Sequence, residues 1–272
     1  MDISASLVKE LRQKTGAGLM NCKKALLESN GNIEESIKFL REKGLATASK
    51  KADRSANEGR IFIQSASDQK QSLVIEVNCE TDFVASNNEF LDFGNKVAKS
   101  VLENNNIKSS DDLSEISFDG KNYDDLISEY TVKLGEKIGV GKFKRISSEA
   151  PIHSYIHSNG KIGTAVSFSG SVEEGIGKSV AMQVAASNPT YVSSATVDKD
   201  EIDKERDIIR QQAKNEGRPD QVIEKIVEGR IAKYYKEVCL LEQPFIMDDK
   251  KAIKEILPNQ VTIEDFTRFS IG

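Results

Sequence analysis

Twice along this chain, two apolar strands joined by a polar turn are followed by an amphipathic helix, and that pattern restricts the fold more than any other feature. The first pair is Arg60-Ile61-Phe62-Ile63 and Ser72 to Val77, turning at Ser67-Asp68-Gln69-Lys70. A helix over 88–102 then places Phe90, Leu91, Phe93, Val97 and Val101 on one side. The second pair is Ile152 to Ile156 and Ile162 to Phe168 around Ser158-Asn159-Gly160, with a helix from Gly175 to Ser187 that stops at Asn188-Pro189. Short turns between strands demand antiparallel pairing, because a parallel pair needs a crossover of a dozen or more residues. The expected class is therefore α+β, with two related halves at 60–145 and 146–272, each an antiparallel sheet covered by helices on one face. Between them, Asn104-Asn105-Asn106 and Asp111-Asp112 mark loops around a helical stretch ending near Ile138.

Two further units flank this core. Residues 1–45 carry three short helical patterns: Leu7, Val8 and Leu11; then Cys22, Ala25 and Leu26; then Ile33, Ile37 and Leu40, stopping near Gly44. Asn32 and Glu35 have the spacing of an N-cap and its reciprocal partner. The cationic stretch 46–59 reads as a linker or exposed helix. At about 198–238, Ile202, Ile208 or Ile209, and Ala213 form one stripe and Val222, Ile223, Ile226, Val227, Ile231 and Tyr234 another, with Gly217-Arg218-Pro219 between them. Two helices of about 18 residues joined by that turn make an antiparallel hairpin about 27 Å long. Its charged outer faces suit a protruding element.

Composition narrows the function. The net charge of −5 argues against a broad nucleic-acid footprint. No run approaches the roughly 20 apolar residues of a membrane span, and the amphipathic start lacks a signal-peptide core. Cys22, Cys79 and Cys239 are scattered, which suits a reducing cytoplasm and forms neither a disulfide framework nor a zinc site. No cofactor or metal is expected.

The nearest enzymatic motif is Gly177-Lys178-Ser179, after a strand and at the start of a helix, where a phosphate loop would lie. The first glycine of that motif is replaced by Val172, and antiparallel hairpins stand in place of a parallel strand-helix-strand unit. His153 and His157 share a strand face but lack companion ligands. Glu80 and Asp82 form no defined acid-base set. Phe83-Val84, in a polar stretch between strand and helix, is unusual. On pattern alone Phe83 reads as a hydrophobic staple for the following helix, capped by Asn87 or Asn88.

Leu11-Arg12, Lys14-Thr15-Gly16-Ala17-Gly18-Leu19-Met20 and Cys22-Lys23-Lys24-Ala25-Leu26 resemble the N-terminal signature of the elongation factor Ts family, in its bacterial and organellar form. Asn78-Cys79-Glu80-Thr81-Asp82-Phe83-Val84-Ala85 resembles its second signature. Glu136-Lys137-Ile138-Gly139, Met182 to Ala186, Gly217-Arg218-Pro219, Val227 to Arg230 and Gln243-Pro244-Phe245 continue the match in order. The resemblance implies a ubiquitin-associated-like three-helix module, two α+β subdomains and a protruding helical hairpin. It also implies guanine-nucleotide exchange on elongation factor Tu in the cytoplasm, meeting that partner both GDP-bound and nucleotide-free, with no direct nucleic-acid or membrane contact. Arg12, Leu19 and Met20 would dock on the partner's G domain. Thr81, Asp82, Phe83 and Val84 would intrude near its magnesium and phosphate loops, with Ile138 and Gly139 beside them, and His157 would face its third domain. The hairpin is a candidate surface for self-association. A scaffold or chaperone of the same partner, and a nucleotide-binding enzyme using Gly177-Lys178-Ser179, are the rival readings.

Overall fold

The computed structural model describes residues 3–272; Met1 and Asp2, the first two of the module assigned to 1–45, lie outside the described residues. Three helices open the chain: α1 (Ala5–Thr15), α2 (Leu19–Glu28) and α3 (Ile33–Lys51). Ser4 caps α1, and Asn32 caps α3 by accepting from the N–H groups of Glu34 and Glu35. Val8, Leu11, Cys22, Ala25, Leu26 and Leu40 form a small core of their own.

The stop expected at Gly44 does not occur, and α3 runs on to Lys51. Gly44 is buried against the Ser128 carbonyl and the Val132 side chain, so here a glycine marks a close helix crossing. The partner in that crossing is the helix over Tyr123–Leu134. Residues 46–51 of the segment expected as a linker or exposed helix thus continue α3, held by tertiary contact that local pattern does not reveal.

The first sheet has the order β1-β2-β3, from β1 (Glu58–Ser65), β2 (Gln71–Cys79) and β3 (Ile138–Ser147), all antiparallel. Between β2 and β3 lie α4 (Asp82–Ala85), α5 (Asn88–Glu103) and α6 (Tyr123–Leu134). The helical stretch expected to reach Ile138 ends at Leu134, because Gly135 caps α6 in the left-handed conformation at φ 75°. Ile138 therefore opens a strand. The second sheet has the order β4-β5-β8, from β4 (His153–Ile156), β5 (Ile162–Phe168) and β8 (Ile263–Ser270). After β5 come α7 (Glu174–Ser187), α8 (Lys199–Asn215), α9 (Asp220–Val238) and a small hairpin, β6 (Pro244–Phe245) with β7 (Asp248–Ala252).

Side chains alternate along each strand, and this alternation builds three apolar layers. Phe62, Leu73, Ile75 and Val77 face α5, meeting Phe90, Phe93, Val97 and Val101. Val166 and Phe168 face α7, meeting Val180, Ala181 and Val184. Ile61, Val74, Ile146, Ile152, Ala165 and Ile271 fill the space between the sheets. The order is helices, sheet, sheet, helix. Gly163 makes the close sheet contact feasible, since a Cβ there would lie 2.4 Å from Ile61 Cγ2. The hairpin of α8 and α9 packs on itself through Ile209, Ala213, Ile223, Val227 and Ile231. Its base is tied by Glu201, which accepts hydrogen bonds from the hydroxyls of Tyr191 and Tyr234.

Gly163→Ala should push the sheets apart at that seam. We expect a loss of about 1–3 kcal/mol, as for other overpacked interiors. Urea unfolding would show it as a lower midpoint at unchanged slope.

Candidate partner-facing site

The last backbone pair between β2 and β3 is Cys79 with Ile138. Beyond it, side chains continue the ladder. The Glu136 carboxylate accepts from the N–H groups of Glu80 and Thr81 at 3.1 and 3.0 Å and from the Thr81 hydroxyl at 2.6 Å. In return, Glu80 accepts the Lys137 N–H at 2.6 Å and pairs with Arg54 at 3.2 Å. Lys137 Nζ donates to the carbonyls of Ala52 and Arg54. The turn is thereby held from the sheet and from the segment that follows α3.

Thr81 is extended at φ −130° and ψ 155°, and its Oγ1 accepts the Val84 N–H at 3.3 Å. It is the N-cap of the one-turn helix α4. Consecutive residues of that turn point in different directions. Val84 and Ala85 enter the first core, Val84 being 9% exposed, whereas Asp82 is exposed and Phe83 is 85% exposed. The staple expected of Phe83 is therefore not made. Asn87 does cap α5, accepting the Glu89 N–H at 2.9 Å. Among the four residues expected at the tip, Thr81 and Val84 anchor the turn, and Asp82 and Phe83 project.

Cys79, beneath the turn, donates to the Thr81 carbonyl at 3.1 Å. Burial first, and the Glu136 carboxylate second, push its thiol up to about 12, so it is an inert structural group. Cys239 is likewise buried, with its thiol raised to about 11 by desolvation. The Glu80 carboxyl is held below its ordinary range, chiefly by the Lys137 N–H and further by Arg54, against an opposing desolvation.

The residues of the N-terminal module expected to dock gather around one turn. Arg12 is exposed in the last turn of α1, and Leu19 and Met20 open α2 at 53% and 72% exposure. The Lys133 side chain of α6 lies against Gly16 in that turn and pairs with Glu129 at 2.9 Å. Two residues on is the cap Gly135, and then Glu136. Helix α6 thus joins the base of the module's exposed turn to the base of the tip.

Ile138, expected beside the tip, is 3% exposed and its side chain lies in the first core. Gly139 lies within β3 opposite Asn78, with open space where a side chain would be. The exposed surface beside the tip is instead Gly135, whose carbonyl accepts from Lys51. Arg54 and Gly135 carry no site role in the sequence reading, and Glu136 and Lys137 enter it only within the Glu136-Lys137-Ile138-Gly139 match. A glycine closing an apolar-periodic helix is a stop signal, and it would have put the turn at 135–137 and the strand after it.

His157 is exposed at the β4–β5 turn, its Nδ1 3.0 Å from the Tyr155 hydroxyl. The same turn is tethered to the first sheet by the Ile61 N–H, which donates to the Gly160 carbonyl at 2.9 Å. His153 is half-buried against Gly177 and edge-on to Phe168 at 5.7 Å, and burial lowers its pKa. Four residues along a strand separate the two histidines by about 13 Å, too far to share an ion. Among the described residues, no group of three or more His, Cys, Asp and Glu could hold a metal. Gly177 is inside α7 and packed on the His153 ring, and Ser179 Oγ donates to the Gly175 carbonyl at 2.7 Å. Gly177-Lys178-Ser179 is therefore continuous helix and forms no phosphate-cradling loop. Among the described residues, no helix is long and apolar enough to cross a membrane.

Residues 80–272 match the model of the family described as Elongation factor TS. A protein named Elongation factor Ts from Clostridium perfringens strain SM101 is 44% identical over 283 aligned positions, covering 99% of this chain and 93% of the relative. Proteins of the same name from Clostridium acetobutylicum and Clostridium novyi are 43% and 40% identical, each over 99% of this chain and over 92% and 93% of their own lengths.

The Glu80 latch has a defined pH signature. A carboxyl lowered by folding stabilises the fold fully above its ordinary value of 4.5, and that contribution is lost as pH falls through the lowered value. The melting-temperature gap between the unmodified chain and Glu80→Gln should therefore stay constant from neutral pH down to about 5 and close in stronger acid. Thermal scans across that range would measure it.

Proposed function

The chain belongs to the elongation factor Ts family, and on that premise we propose that it is a guanine-nucleotide exchange factor for elongation factor Tu. The exposure of Phe83 on a turn pinned from three sides carries the reading. A large apolar side chain left in water gains about 1.5–3 kcal/mol when a partner buries it. Because Thr81, Val84 and Glu136 hold the turn in advance, little of that gain is lost to ordering.

The proposed encounter has two main contact points. Leu19 and Met20, with Arg12 nearby, dock on the partner's G domain, while Asp82 and Phe83 enter near its magnesium and phosphate loops. Gly135 and Gly139 flank the entry, and His157 faces the partner's third domain. GDP is held in such GTPases largely by backbone N–H groups of the phosphate loop and by magnesium. Phe83 acts as a wedge that favours a conformation with a disturbed metal site, and Asp82 competes for the polar groups supporting it. The exchange factor supplies no acid, base or metal, so it is not an enzyme in the bond-breaking sense. Coupling is reciprocal: a factor that weakens GDP binding is itself bound less tightly when GDP is present. The ternary complex is therefore a transient intermediate, and both GDP-bound and nucleotide-free partner are met in each cycle in the cytoplasm.

Stopped-flow release of labelled GDP from elongation factor Tu tests the reading. The unmodified chain should accelerate release strongly. Phe83→Ala should reduce the stimulated rate by about one to two orders of magnitude, the kinetic equivalent of losing one buried aromatic contact. Its own melting should change little, since an exposed side chain leaves no cavity. A complex that forms without faster release would establish the scaffold reading instead.

A further inference from the structure

Glu136 is 55 residues from Thr81 in sequence, yet its carboxylate takes the Glu80 N–H, the Thr81 N–H and the Thr81 hydroxyl. Neither amide has a strand partner, because the β2–β3 ladder ends one residue earlier at Cys79. Bonds to an ionised acceptor are roughly twice as strong as neutral ones. The hydroxyl matters most. It donates to Glu136 at 2.6 Å and accepts the Val84 N–H at 3.3 Å, so the acceptor sets the rotor that caps α4. Glu136 is itself held, by the left-handed turn at Gly135 before it and by the Lys137 N–H bound to Glu80 after it.

We infer that Glu136 is a positioning residue for exchange: acting through Thr81, it fixes the direction in which Asp82 and Phe83 project, without touching the partner. This rests on the exchange reading above. It differs from a structural role in what it predicts. Glu136 belongs to none of the apolar clusters, so its loss should leave the core intact while freeing the tip. Docking through Leu19 and Met20 should survive, and the productive insertion of Phe83 should become rarer.

The test uses the full chain with elongation factor Tu and compares Glu136→Ala with Glu136→Gln. Glutamine can still accept one amide and can donate to the Thr81 oxygen, so it should restore most of the function. For Glu136→Ala we expect a roughly tenfold lower GDP release rate at saturating exchange factor, about 1.4 kcal/mol. Its melting temperature should shift by only a few degrees. Hydrogen exchange at the Glu80 and Thr81 amides should accelerate by about tenfold or more, tracking their local opening. Thr81→Val added to Glu136→Ala should cost little more, because both act on one cap. An unchanged saturating rate in Glu136→Ala overturns the inference, as does failure of that variant to fold, or glutamine no better than alanine. If the unmodified chain itself released no GDP, the exchange reading would fall, and the amide measurement would still decide whether Glu136 pins the tip.

Discussion

Two antiparallel sheets meet across an apolar seam in which Ile61, Val74 and Ala165 are buried, and Gly163 lets the backbones come close enough for that contact. Everything else is arranged around that contact. Since strand side chains alternate, committing one face of each sheet to the seam commits the other to a helix layer. The two helix layers therefore lie on opposite outer faces. The seam also sets the two halves against each other, with the Ile61 N–H bound to the carbonyl of Gly160 in the turn that carries His157. A partner meeting both His157 and the tip meets a surface whose spacing is set by packed strands.

The tip extends this rigidity past the end of the sheet. Two carboxylates, Glu80 and Glu136, exchange backbone partners across the loops that follow β2 and precede β3. Each occupies N–H groups that would otherwise face solvent or the core unpaired, and such groups are expensive to leave unsatisfied. The turn is then short, capped and anchored by Val84. A Phe held outward on such a support cannot fold back to hide itself. In a free protein it is an apolar liability, and the reason to retain it lies in what it meets.

The outer units are more loosely related to this frame. The N-terminal module and the α8–α9 hairpin each have their own small core. The pairs on the hairpin, such as Arg210 with Glu224 and Arg230 with Glu216, are surface ion pairs worth little individually. The module differs in being braced: α3 crosses α6 at Gly44, Arg41 forks onto Asp125, and Lys51 reaches the Gly135 carbonyl. Its exposed Leu19 and Met20 are thereby held in relation to the tip.

Much of this was legible in the residues. The short apolar runs in Leu73 to Val77 and in Ile162 to Phe168 mark strands buried on both faces, and the 3.6-residue periodicity in Phe90 to Val101 marks a helix that hides one. Family signatures identified the segment around Phe83. What a linear pattern cannot carry is which partner a residue finds. Nothing local distinguishes Gly44, a glycine inside a helix crossing, from a helix-ending glycine. Ile138 belongs to a signature, yet pairing with Cys79 buries it. Phe83 has the local spacing of a staple, and only the anchoring of Val84 and the brace from Glu136 turn it outward. The sequence by itself determined the elements and their buried faces, since those follow from periodicity within a few residues. The tertiary structure alone decided which side chains are left pointing outward, because that depends on contacts between residues dozens of positions apart.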